Sequence, residues 1–313
     1  MLHMDRVSHI PVLLEEVRHW MRPMAGGVYV DGTLGHGGHT EMLLKDSAPD
    51  GKVVGIELDA RNMEIAKERL QSFGDRVLYV RGSYADLAQH LKQNNIGKVD
   101  GILLDVGFSS AHVDDPTRGF SFMKEGPLDM RYDSDQGLTA EEVVNSWSEA
   151  KLAEIFLIYG EERRAQYIAK VIVGRRRKKR FRTTTDLSET IADALGRHGK
   201  LHPATRVFQA LRIVVNNELG SLESVLPQAV DALEDGGRLC VISFHSLEDR
   251  IVKRFFRGAQ NLEVLTKKPV IPTDEEQSKN PRARSAKMRV VVKSGSVGKN
   301  KHKSYDNEIA YKT

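Results

Sequence analysis

Between Val28 and Asp105, short runs rich in β-branched residues alternate with segments of helical period, and few folds accept that alternation. The runs are Val28 to Asp31, Lys52 to Glu57, Arg76 to Val80 and Val99 to Asp105, with helical spacing over Ala60 to Phe73 and Tyr84 to Asn94. In the first helical segment Met63, Ala66, Lys67 and Leu70 share one stripe, apolar except for a lysine whose stem can lie along it. Strands separated by helices join through crossovers rather than hairpins, so the pattern predicts a parallel sheet covered by helices.

The alternation stops at about His112. From there to Asn216 several helical patterns follow one another without a convincing strand, and a dense basic run stands at Arg175-Arg176-Arg177-Lys178-Lys179-Arg180-Phe181-Arg182. Helical spacing over Glu218 to Leu233, the pair Gly236-Gly237 and the apolar run Arg238 to Phe244 then restore the α/β pattern. A helix over Leu247 to Phe256 and strands over Leu262 to Lys267 and Lys287 to Lys293 complete a seven-stranded sheet. The expected organisation is a Rossmann-like core from 1–111 and 217–293, an all-helical insert over 112–216, and a polar basic tail from 294 to 313.

Composition narrows the setting. A net charge of +4 is compatible with nucleic acid and does not demand it. The single cysteine, Cys240, lies in an apolar run, which makes an intrachain disulfide impossible and a buried, inert thiol the expected state. The first residues carry an early acid and do not read as a secretory signal, and no apolar run approaches the ~20 residues that cross a bilayer. A soluble, cytoplasmic protein without membrane contact is expected. The eleven histidines are scattered with no zinc-like spacing, so no metal is expected.

The strongest local signal is Asp31-Gly32-Thr33-Leu34-Gly35-His36-Gly37-Gly38-His39-Thr40, directly after the first strand and before a helical segment at Glu41 to Lys45. Glycines there permit a tight strand-to-helix turn and bring backbone N–H groups close to a ligand. The second strand ends in Glu57, where a carboxylate can accept hydrogen bonds from ribose hydroxyls. A dinucleotide fingerprint would need glycine where Thr40 stands, and Asp31 beside the loop would repel a pyrophosphate but can meet an ammonium group. Both residues favour S-adenosylmethionine over NAD. Tyr84, after the third strand, can pack on adenine or serve as a core aromatic.

Several long motifs then enter together: His9 to Leu14, Asp31 to His39, Asp100 to Asp105, Arg118 to Phe122, Gly126 to Arg131, His202 to Ile213, Ser243 to Arg250 and Asn280 to Ser285. In this order, from residue 9 to about 293, they closely resemble the ribosomal RNA small subunit methyltransferase H family, also called MraW. The resemblance implies a class I S-adenosylmethionine methyltransferase fold and transfer of methyl to the exocyclic N4 of a cytidine in the decoding region of 16S rRNA, usually numbered 1402. It implies cofactor contacts from Gly37, Gly38, His39, the acid ending the second strand, the aromatic Tyr84, Asp105 and position 112. Glu57 stands where the family usually shows Asp, and His112 where it usually shows Gln.

Methylating an amine whose lone pair is delocalised into a pyrimidine ring calls for geometry and electrostatics rather than a covalent intermediate. Asp105 is the acid best placed by sequence to accept an amino proton, and it can equally be a cofactor-binding or loop-capping residue. His245 and Glu248 form a second polar pair at the same sheet edge, readable as catalytic or as a hydrogen-bonded loop; Asp129 and Arg131 read equally as an ion pair of the insert. Arg175, Arg176, Arg177, Lys178, Lys179 and Arg180 are expected to meet RNA phosphates, with Arg206 and Arg212 extending that surface. The expected partner is 16S rRNA in the 30S subunit, with a homodimer possible. A non-catalytic RNA-binding assembly factor and a nicotinamide-dependent dehydrogenase are the competing classes.

Overall fold

A computed structural model describes residues 10–107, 115–134, 137–197 and 202–295. Strands β1 (Val28–Asp31), β2 (Lys52–Glu57), β3 (Val77–Arg81), β4 (Val99–Asp105), β5 (Leu233–Ser243), β6 (Leu262–Val264) and β7 (Lys287–Lys293) form one sheet in the order β3-β2-β1-β4-β5-β7-β6. All neighbours from β3 to β5 run parallel, and β7 runs antiparallel to both β5 and β6.

Period-2 alternation divides the strand residues between two cores. Tyr29, Val53, Leu103 and Cys240 face the side covered by α1 (Leu14–Met21), α2 (Gly38–Asp46) and α3 (Ala60–Leu70). Val30, Val54, Ile102 and Val241 face the side covered by α4 (Leu87–Gln93), with two helices that follow the insert, numbered α10 and α11 below. Cys240 is fully buried and its thiol is pushed up to about 12 by burial, the inert state expected of it.

The insert carries α5 (Ala140–Ser146), α6 (Glu149–Ile158), α7 (Ala165–Arg176), α8 (Thr184–Leu195) and α9 (Thr205–Val215). A third core, with members from Leu128 to Leu211 only, binds these helices to one another through Val143, Phe156, Ile172, Leu187 and Leu211. The chain then returns to the sheet through α10 (Glu218–Ala232) and α11 (Ser246–Gly258), with α12 (Asp274–Lys279) before β7.

Several boundaries move from the sequence expectation. Gly74, at φ +57, ends the long helix in a short 3-10 segment, so β3 starts one residue late at Val77. Strand β5 begins at Leu233 rather than Arg238, with a register shift opposite Val99 and Gly101 that absorbs Gly236 and Gly237. The helices α1 and α12 carry no strong sequence signature. Among the described residues no helix is long and apolar enough to cross a membrane.

Candidate active site

The strand order reverses between β1 and β4, and a cavity opens at their carboxyl ends, where open α/β sheets bind ligands. The cavity there measures about 1200 Å³ counting its open mouth.

Its floor is the glycine loop. Gly32 N–H donates to Leu103 O at 2.9 Å, Leu34 N–H to Ile56 O at 3.0 Å and Gly37 N–H to Leu34 O at 2.7 Å, so the loop is tied to both neighbouring strands. Gly37 has φ +77 and a β-carbon there would stand 2.9 Å from Leu70 Cδ1, a position closed to other residues by conformation and by packing. Gly35 has φ +51, and a β-carbon there would meet nothing nearer than Thr33 O at 3.8 Å, so conformation rather than packing selects glycine. Gly35, Gly38 and His39 line the space; Gly37 builds the turn behind it.

Glu57 closes one end. Its Oε2 accepts from Gly35 N–H at 2.9 Å and its Oε1 from Asp59 N–H at 2.8 Å. Burial raises its carboxyl to about 7, against the pull of those two donors. Tyr84 lines the cavity at a short 3-10 turn and also packs on the Val30-side core.

Asp31 requires a correction. It is 1% exposed and is not part of the cavity wall. Its Oδ2 accepts from Thr40 Oγ at 2.8 Å and its Oδ1 from Thr33 N–H at 3.2 Å, while burial raises it to about 6. Asp31 therefore ties β1 to α2. The acid that does face the cavity is Asp105: its N–H donates to Thr33 Oγ at 2.7 Å, and its Oδ1 is buried with no hydrogen-bond partner. Burial, then the charges of Asp31 and Glu248, hold Asp105 well above the usual carboxylate range. His39 sits 3.8 Å away from Asp105 Oδ2 through Nδ1, while its Nε2 lies 2.9 Å from Val12 O; burial lowers it to about 4, so it is neutral at physiological pH.

The opposite wall comes from the insert and α10. Tyr132 hydroxyl donates to Glu218 Oε1 at 2.8 Å, Tyr132 N–H donates to Asn216 Oδ1 at 2.7 Å, and all three residues line the cavity. Arg118 holds this segment: its Nη1 donates to Asp59 Oδ2 at 2.5 Å and its Nη2 to the carbonyls of Arg131 and Tyr132, each at 2.9 Å. Asp59 also caps α3 and follows Glu57, so one buried ion pair joins the two walls.

Two further expectations are corrected here. Arg212 is 9% exposed and grips Glu218 with both Nε (2.8 Å) and Nη2 (3.0 Å), so it braces the cavity wall and cannot extend a phosphate-facing surface. His245 and Glu248 form the capping box that starts α11: Glu248 Oε2 accepts from Phe244 N–H at 2.8 Å, and His245 Nδ1 accepts from Glu248 N–H at 3.4 Å. Neither is among the residues that line the cavity, and both are engaged in the hydrogen bonds of a helix start. Glu218, His245 and Glu248 bring ligand-type atoms within 4.8 Å of one another, but Arg212 already supplies a cation to both Glu218 oxygens.

The basic run divides. Arg175 pairs with Asp186 and lies 4.9 Å over Phe181, and Arg176 donates to the carbonyls of Val144 and Trp147 at 2.6 Å. Arg177, Lys178, Lys179 and Arg180 are exposed. Arg206 is exposed and lies 3.6 Å from Glu162; Asp129 and Arg131 pair at 2.8 Å. His112 lies outside the described residues.

Thr33, Arg118, Tyr132, Asn216 and Glu218 were not anticipated as site residues. Their roles depend on partners up to 86 positions away, as for Tyr132 and Glu218, and no local spacing carries that.

The glycine loop, Glu57 and Asp105 line one cavity at the switch point of this strand order, the layout of a class I methyltransferase that uses S-adenosylmethionine. The chain belongs to the MraW methylase family, which matches residues 6–294. It is 48% identical over 294 residues to the ribosomal RNA small subunit methyltransferase H of Nostoc sp., covering 93% of this chain and 94% of that one. The protein of the same name from Geotalea uraniireducens is 48% identical over 311 residues, covering 93% and 100%. That of Crocosphaera subtropica is 49% identical over 285 residues, covering 90% and 88%.

Proposed function

We propose that this enzyme methylates the exocyclic N4 of a cytidine in the decoding region of 16S rRNA, acting in the cytoplasm on the 30S subunit. The observation that carries the reading is Asp105 Oδ1, a buried carboxylate oxygen without a partner in the cavity that Glu57 and the glycine loop also line. The names of the relatives agree with a ribosomal RNA substrate.

Glu57 is the acceptor for ribose hydroxyls, the Gly35 to His39 backbone holds the amino-acid end, and Tyr84 covers the adenine. Bound there, S-adenosylmethionine supplies an electrophilic methyl on a sulfonium centre. Asp105 accepts one N–H of the cytosine amine, orients the nitrogen and receives the proton that the amine sheds. A positive charge in the cavity lowers the proton affinity of Asp105, and loss of that charge on methyl transfer restores it, when the amine needs a base. Tyr132, fixed by Asn216 and Glu218, forms the side of the cavity toward the base. The target must leave its stack to reach this depth, and the exposed cations from Arg177 to Arg180 hold the flanking phosphates.

The test is labelled-methyl transfer to 30S subunits from cells lacking this protein, with the modified base located by mass spectrometry. N4-methylcytidine at the decoding-region site is the expected product. Methyl on another base or another RNA overturns the substrate, and normal 30S binding without transfer points instead to an assembly factor.

A further inference from the structure

A second cavity, about 660 Å³ counting its mouth, lies where α6, α9 and the start of α10 meet. Trp147, Lys151, Glu154, Tyr159 and Asn217 line it, and Lys151 Nζ stands 5.3 Å from the centre of the Trp147 ring. Its position relative to the first cavity is defined by a single turn. Asn217 adopts the left-handed conformation (φ 49°) and lines the second cavity, while its neighbours Asn216 and Glu218 line the first. One residue therefore separates the two spaces.

The chemistry of this groove is that of a single-stranded RNA subsite. Aromatic rings with a cation beside them accept a base and its phosphate without reading its sequence. Glu154 is exposed and offers an acceptor to a base amino group. The basic run is tied to this groove at one point, because Arg176 donates to the carbonyls of Val144 and Trp147, and the exposed cations from Arg177 to Arg180 follow it in sequence. A peptide or a second copy of this chain would meet those cations only through acidic side chains, whereas every nucleotide brings a phosphate.

We propose that this groove receives the unpaired nucleotide next to the target cytidine, its base replacing the Lys151 ammonium over the Trp147 ring and its phosphate pairing with that ammonium at the ring edge. Splaying two consecutive nucleotides across the Asn217 turn would hold the target extruded while methyl is transferred. The proposal rests on the RNA methyltransferase reading, and its test separates the two.

The experiment measures binding of short single-stranded RNAs, centred on the target cytidine, to the full chain saturated with S-adenosylhomocysteine. Each RNA carries either an intact base or an abasic site at the position before or after the target. Trp147→Ala should weaken the intact RNA about tenfold, the loss of one base-aromatic stack, and one abasic substitution should weaken wild type equally. Trp147→Ala should then be insensitive to that abasic site, and Trp147→Phe should restore most of the affinity. Lys151→Ser, on an exposed residue, should lower the salt dependence by about one phosphate contact. Additive effects of Trp147→Ala and both abasic sites overturn the proposal while leaving methyl transfer intact. A change of oligomeric state in Trp147→Ala overturns it in favour of a self-association surface. If wild type neither binds these RNAs nor methylates 30S subunits, both readings fall.

Discussion

Glu57 makes cofactor affinity a function of pH, with a calculable size. Its carboxyl is raised to about 7 by burial, while ribose hydroxyls donate to it best when it is ionised. Below pH 7 binding must therefore expel a proton, and affinity should fall by up to tenfold per pH unit. Between pH 7, where the group is already half protonated, and pH 5 the loss is about 50-fold, or about 2.3 kcal/mol at 1.36 kcal/mol per unit. Adenosine is the ligand to use, because it carries the ribose but neither the amino-acid end nor the sulfonium charge that would act on Asp105 as well. Calorimetry in two buffers of different ionisation enthalpy should record release of up to one proton near pH 6. Glu57→Gln should bind adenosine weakly at pH 8 and without this pH slope. The unliganded protein gives the opposite sign. A carboxyl whose native pKa exceeds its ordinary 4.5 contributes stability below that value and loses it as pH rises through about 7. Asp31, raised to about 6, adds to the same trend. Glu57→Gln should accordingly flatten the fall of the apo Tm from pH 5 to pH 8, whatever it costs at one pH through its single acceptor oxygen. A slope that survives in Glu57→Gln, or its absence in wild type, refutes the assignment.

Asp105→Asn should leave S-adenosylhomocysteine affinity nearly unchanged and lower the single-turnover methyl-transfer rate by about 100-fold or more; a collapse in cofactor affinity with a normal rate at saturation would make Asp105 a binding residue. Arg118→Ala removes the guanidinium from buried Asp59 and should cost about 3–5 kcal/mol by urea unfolding. Asp59→Asn should cost less, because the amide oxygen can still accept from Arg118 and the carbonyls of Arg131 and Tyr132 remain acceptors for that guanidinium, and the reverse order would contradict the pairing. Replacing Arg177, Lys178, Lys179 and Arg180 by Ser should leave Tm and cofactor affinity unchanged while weakening 30S binding and flattening its salt dependence. Arg176→Ser should instead lower Tm, since its guanidinium caps the end of α5.

The periodic features of this chain are legible in its sequence. Alternation of period 2 and period 3.6 assigns a buried face to each segment, and β7 runs over Lys287–Lys293 as read. The glycine loop is equally local, because the backbone conformation at Gly35 and Gly37 restricts the residue type directly. Glu57 is legible by its place at a strand end. Arg212 and Arg206 look alike in sequence, six positions apart on one helix. Only the fold turns Arg212 toward Glu218 and leaves Arg206 at the surface. Asp31 and Asp105 both end parallel strands, yet Thr40 lies within reach of one, while one oxygen of the other has no partner. The pairing of Arg118 with Asp59 spans 59 residues and crosses from insert to core. A charged side chain takes its role from the partner that compensates its burial, and that partner is brought to it only when distant segments pack.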